Sequence, residues 1–158
     1  MKQLLRAGAV AAFVLGAPSA VFAGELEGAY VGINAGGIAT WGTFDKFIGV
    51  YGGYNMRFSD RFIGGAEAEA TYDPGTNAQT YMVSGRIGYE VIEGGMTYLK
   101  AGGGFQPTVG GIWAVGLGVE TLVPDTPLGA RVEAEYMDGF AAGTPNSVRL
   151  KGGLHYDF

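Results

Sequence analysis

Few residues in this 158-residue chain could do covalent chemistry. His155 is the single histidine, and beyond residue 23 the serines are Ser59, Ser84 and Ser147. A hydroxyl nucleophile needs a base within about 3 Å, so a serine reaction would have to pair one of these three with His155. Two pairs of carboxylates, Glu67 with Glu69 and Glu133 with Glu135, stand at i, i+2. In an extended strand that spacing puts both members on one face, where they could serve as acid and base, hold a metal, or form ion pairs. Ion pairing is the reading adopted, because Arg and Lys share that face. The absence of cysteine removes disulfides and thiolate ligands. Gly102-Gly103-Gly104 lacks a following helix and the rest of a phosphate-loop pattern, so it reads as close-packed strand. No catalytic, cofactor or metal residue is assigned.

The elements that would position these groups are strands. From Ser147 to Phe158 the chain alternates strictly. Val148, Leu150, Leu154, Tyr156 and Phe158 fall on one face, and Arg149, Lys151, His155 and Asp157 on the other. An apolar strand ending on an aromatic would be an aggregation hazard in water but not against lipid.

Residues 1–23 carry the marks of a cleaved secretory signal peptide: Lys2 and Arg6, an apolar run from Ala7 to Leu15, and Val21-Phe22-Ala23 as the cleavage site. That run is shorter than the ~20 residues of a spanning helix. Residues 24–158 then form one domain. Without Lys2 and Arg6 the charge is 8 basic against 15 acidic residues, or −7, which argues against a nucleic-acid partner. Thirty glycines, nine tyrosines and nine phenylalanines suit short twisted strands better than helices.

Turn signals divide the domain into eight expected strands: 29–38, 47–57, 61–72, 79–91, 96–105, 111–121, 128–137 and 147–158. Each is near the 9–11 residues that cross a bilayer when tilted. The segments 58–60, 92–95 and 122–127 read as tight turns, and 39–46, 73–78, 106–110 and 138–146 as loops. The expected fold is all-β, an eight-stranded antiparallel up-and-down transmembrane β-barrel.

Charge supports two faces. One parity carries Arg57, Arg61, Glu67, Glu69, Arg86, Glu90, Lys100, Glu120, Arg131, Glu133, Glu135, Arg149, Lys151 and Asp157, seven basic and seven acidic; the other parity carries none. The reading places the charged face inside, with an ion-pair network of Glu67, Glu69, Arg86, Lys100, Glu120, Arg131, Glu133, Glu135, Arg149 and Lys151. Enclosed ions must pair, because a lone buried charge costs several kcal/mol. A symmetric connection between the last two strands sets Glu135 opposite Arg149 and Glu133 opposite Lys151. Tyr72, Tyr81, Phe105 and Trp113 near the loops, and Tyr54, Phe62, Tyr89, Tyr156 and Phe158 near the turns, would form two membrane-interface girdles. The opposite orientation, a soluble lipocalin-like barrel around an apolar ligand, is the alternative. On this layout Ser84 lies across the barrel from His155, Ser59 in a turn, and Ser147 at the far end of the last strand.

The segments Gly52-Gly53-Tyr54-Asn55, 65–69 (Gly-Ala-Glu-Ala-Glu), 85–89 (Gly-Arg-Ile-Gly-Tyr), 116–120 (Gly-Leu-Gly-Val-Glu) and Glu133-Ala134-Glu135-Tyr136 together resemble the small opacity-type outer-membrane barrels, among the porin-type surface antigens. The resemblance implies an eight-stranded barrel exported to the outer membrane, and a role as surface antigen, adhesin or envelope structural protein. Tyr156 and Phe158 resemble the carboxy-terminal signal read by the outer-membrane assembly machinery. Partners implied are that machinery during biogenesis and outer-membrane lipid. The leading expectation is a non-enzymatic barrel with a filled interior; a small pore or transporter is the rival.

Overall fold

The computed structural model describes residues 26–40, 42–142, 144 and 146–158; the expected signal peptide lies outside them. These residues form eight strands: β1 Gly28–Thr40, β2 Thr43–Arg57, β3 Phe62–Asp73, β4 Ala78–Ile92, β5 Gly95–Gln106, β6 Gly110–Leu122, β7 Leu128–Gly139 and β8 Ser147–Asp157. Each pairs antiparallel with its neighbour, and β8 returns to β1, closing a barrel with no free edge. Closure satisfies the backbone groups that an open sheet would expose to lipid.

The strands alternate between a buried face and an exposed one, most strictly in β8. The exposed face is apolar: Ile33, Val50, Val83, Leu99, Leu117, Val132 and Leu150 are each at least half exposed. The buried face carries the charges. This is the inverse of a soluble ligand-binding barrel, whose apolar side chains point inward. The lipocalin-like alternative is therefore excluded, and the apolar belt has the orientation of a membrane barrel.

Two expectations are corrected. The first hairpin is longer than its sequence punctuation suggests, with pairing continuing to Thr40↔Thr43, so most of the expected 39–46 loop is strand. Alternation continues there unbroken: Phe44 and Ile48 face out while Phe47 is buried, and the Phe44 ring lies over Gly37, where any side chain would collide with it. The seven-to-seven charge balance of the inner face also changes. Arg61 is exposed in the turn before β3, and Arg57 and Glu90 form a partly exposed pair at the rim (2.6 Å). The other eleven stay buried, the ten residues of the expected network with Asp157, six acidic against five basic.

Aromatic rings share the interior with these ions, and close approach makes that possible. Tyr51 lies against Gly32, Tyr30 against Gly53 and Tyr98 against Gly118; a Cβ at Gly118 would sit 2.5 Å from the Tyr98 ring. At the turn end Leu26, Ile63, Met96, Tyr98 and Leu122 make one apolar cluster. Nearer the loops Met82, Ile112, Ala114 and Met137 make another.

Candidate functional site

Four strands bring the central ions together. The i, i+2 pairs Glu67/Glu69 on β3 and Glu133/Glu135 on β7 point inward from opposite walls, and Lys100 of β5 and Lys151 of β8 reach between them. Lys100 Nζ lies 3.2 Å from Glu67, 3.4 Å from Glu69, 2.7 Å from Glu133 and 3.3 Å from Glu135. Lys151 Nζ lies 2.6 Å from Glu69, 2.9 Å from Glu133 and 3.3 Å from Glu135. Glu69, Glu133 and Glu135 are close enough to hold a metal ion. The two ammonium groups already supply the compensating charge at those oxygens. An ion pair network, not a cation site, is what the geometry describes.

The remaining members extend the network along the barrel axis. Register sets Glu133 opposite Lys151 and Glu135 opposite Arg149, as the symmetric connection predicts. Arg149 Nη1 approaches Glu135 at 3.3 Å, while its Nη2 reaches across to Glu69 at 3.4 Å and Thr71 at 3.3 Å. Arg131 pairs with Glu67 by a two-pronged contact. Arg86 donates to both oxygens of Glu120, each at 2.9 Å.

Three buried tyrosines, Tyr30, Tyr51 and Tyr98, share the interior with the ions, and their roles show only in the structure. Tyr30 donates to Glu67 (2.9 Å) and Tyr98 to Glu133 (2.8 Å), so hydroxyls satisfy carboxylate lone pairs the cations leave open. Guanidinium groups stack on rings: Arg131 lies 3.5 Å from the Tyr51 centroid and Arg149 4.3 Å from Phe47. Phe47 opens the second expected strand with no role assigned to it, and Asn34, which donates to Glu69 at 3.2 Å, drew none because it is uncharged.

His155 sits towards the turn end. Its Nδ1 lies 3.2 Å from the Tyr51 hydroxyl, and its Nε2 3.3 Å from Asp157 and 3.9 Å from Glu120. No serine approaches it among the described residues: Ser59 is exposed in a turn, Ser84 faces Glu67 across β3–β4, and Ser147 pairs with Met137 at the loop end. The surroundings are those of a hydrogen-bonded interior ring.

The proposed girdle residues lie at the two ends of the apolar belt. Tyr54, Phe62, Tyr72, Tyr89, Phe105, Tyr156 and Phe158 are exposed. Tyr81 and Trp113 are half-buried, Trp113 against Tyr136 with ring centroids 5.7 Å apart. Phe158 donates its backbone N–H to Ala29 at 2.9 Å, tying the terminus to β1. Above the ions, the barrel mouth at the loop end holds a recess of about 320 Å³.

No family model matches the chain, and no curated protein sequence matches it. Solved structures do share its architecture. The crystal structure of the outer-membrane enzyme PagL superposes with a TM-score of 0.67 at 11% identity, covering 82% of this chain and 99% of that one. A de novo designed transmembrane β-barrel gives 0.59 at 17% identity, covering 85% and 98%. Neisserial surface protein A gives 0.54 at 14% identity, covering 82% and 97%. At these identities the likeness is one of fold: the chain has the fold of the small eight-stranded outer-membrane barrels.

Proposed function

We propose that this chain is a non-enzymatic integral protein of the outer membrane, an envelope structural protein or surface antigen with a closed, ion-paired interior. The observation that carries the reading is the bridge of Lys100 and Lys151 between carboxylates on opposite walls, at 2.6 to 3.4 Å, with all partners buried. A continuous water path would have to break several of these contacts at once, each break leaving a buried charge unpaired. Support for the location comes from the apolar outer belt and the architecture shared with outer-membrane barrels. One of those neighbours, PagL, is an enzyme. In this chain the histidine is hydrogen-bonded to Tyr51 and lies near Asp157, with no serine beside it among the described residues, which favours a non-catalytic role.

Outer-membrane lipid and, during biogenesis, the assembly machinery are the partners this reading requires. Planar-bilayer recording of the purified protein tests it: a silent bilayer is expected, and reproducible open-channel steps would replace the structural reading with that of a small pore.

A further inference from the structure

Among the described residues, the recess at the loop end is lined by three carboxylates and no basic side chain. Asp73 closes β3 and Asp45 lies on the adjacent β2, whereas Asp138 lies on β7. In the closed order β1 to β8, β3 and β7 are four strands apart in either direction, so the acidic groups occupy opposite walls. The Asp45 carboxylate has no ion pair or hydrogen bond with another described residue. Asp73 accepts only from its own loop, at Gly75 and Thr76. Asp138 accepts from the Gly139 N–H at 2.7 Å and, weakly, from Tyr136.

Two hydroxyls reinforce the pattern. Thr80 is 8% exposed and Ser147 6% exposed, both line the recess, and neither side chain hydrogen-bonds another described residue. Both side chains are more than nine-tenths buried, yet their hydroxyl oxygens open into the recess, so each offers an unused hydrogen-bonding group to an occupant. Thr80, on β4, stands beside the wall that carries Asp73, and Ser147, on β8, beside the wall that carries Asp138. Between the two walls the recess meets apolar surface, the buried Phe47, Ile112 and Met137.

We propose that the mouth of the barrel binds a short aliphatic diamine or polyamine, one ammonium group at each acidic wall and the methylene chain over the apolar floor. Each ammonium carries three N–H donors, which a carboxylate and the neighbouring hydroxyl can share. An anion would meet three uncompensated negative charges. A bare metal ion would use one wall and leave the other, and the floor, without a partner. This site stands apart from the closed-interior reading, since a conducting barrel could have the same mouth.

The test is calorimetry on the full chain in phosphatidylcholine nanodiscs, titrated at constant ionic strength with 1,5-diaminopentane, pentylamine or Mg²⁺. The diamine should bind at least about fivefold more tightly than pentylamine, the worth of one well-placed exposed charge contact. Asp138→Asn should bring the diamine down to the monoamine's affinity, and Thr80→Val should weaken both amines. Asp73→Asn removes a loop cap as well, so Asp45→Asn is the variant that reports on that wall if Asp73→Asn fails to fold. Equal affinity for diamine and monoamine would overturn the proposal. So would tighter binding of Mg²⁺ than of the diamine, a preference that survives Asp138→Asn, or no heat from the diamine up to about 10 mM.

Discussion

At the scale of single residues the interior is governed by charge compensation. Glu67 shows how tightly: it meets Arg131, lies 3.2 Å from Lys100 and 3.7 Å from Arg86, and accepts the Tyr30 hydroxyl at 2.9 Å. Neutralising it would leave three cations competing for fewer partners. Glu67→Gln should therefore destabilise the barrel by about 3–5 kcal/mol, the cost of orphaning a buried charge. Urea unfolding of protein refolded in lipid vesicles measures this, with Asp60→Asn in the exposed turn as a reference that should be nearly neutral. The same connectivity limits what charge reversal can restore. Glu135 faces Arg149 but also lies 3.3 Å from Lys100 and from Lys151, and Arg149 also contacts Glu69. Glu135→Arg alone should cost about as much as Glu67→Gln. Adding Arg149→Glu should recover less than half of that loss, because the reversed charges now meet like neighbours. Full recovery in the same assay would show that Glu135 and Arg149 form an isolated pair.

At the scale of the element, two periodicities decide what the sequence reveals. Period-two alternation places Leu117 outward on β6, and it is 60% exposed between Leu99 and Ala134 on the flanking strands. Leu117→Arg should cost about 2–4 kcal/mol if the site lies at the bilayer midplane, measured by the same unfolding in vesicles. The strand number, the inward face and the β7–β8 register were all legible, because each depends on local alternation and a short connection. The ends of β1 and β2 were not. Pairing runs to Thr40↔Thr43, a far tighter reversal than the polar and glycine residues of 39–46 suggest, and the inward packing of Phe47 and the Phe44–Gly37 contact accompany it. Cross-barrel contacts were illegible for a different reason. Arg131 with Glu67 and Arg86 with Glu120 join non-adjacent strands, and the stagger of the closed barrel, which sets their relative height, is not encoded in any single strand. The last strand adds a biogenesis prediction. Phe158 packs on Tyr156 with ring centroids 5.1 Å apart and bonds Ala29, but it adds no interior contact. Its deletion should lower outer-membrane yield in cells severalfold while leaving refolding in vitro nearly intact. Equal loss in both assays would make Phe158 a stability residue instead of part of an assembly signal.

At the scale of the whole molecule the barrel is asymmetric along its axis. The loop end opens into a recess, the centre is crossed by ions, and at the turn end Leu26 packs on Ile63, Met96, Tyr98 and Leu122. Leu26 precedes β1 and is 1% exposed, which positions the segment entering the barrel to act as its stopper. Water should accordingly reach the interior from the loop side only. The absence of cysteine makes this directly measurable, since a single introduced thiol has no background. Thr80→Cys, in the recess, should react readily with a small charged maleimide. Met96→Cys, behind the stopper, should resist labelling in the folded protein and react once it is unfolded in urea. Adding Leu26→Ala to Met96→Cys removes most of the stopper's side chain and should raise the labelling rate without changing the rate at Thr80→Cys. Rapid labelling of Met96→Cys with Leu26 intact would mean that the turn end is open. Labelling of both sites at one rate would mean that the ions do not divide the lumen.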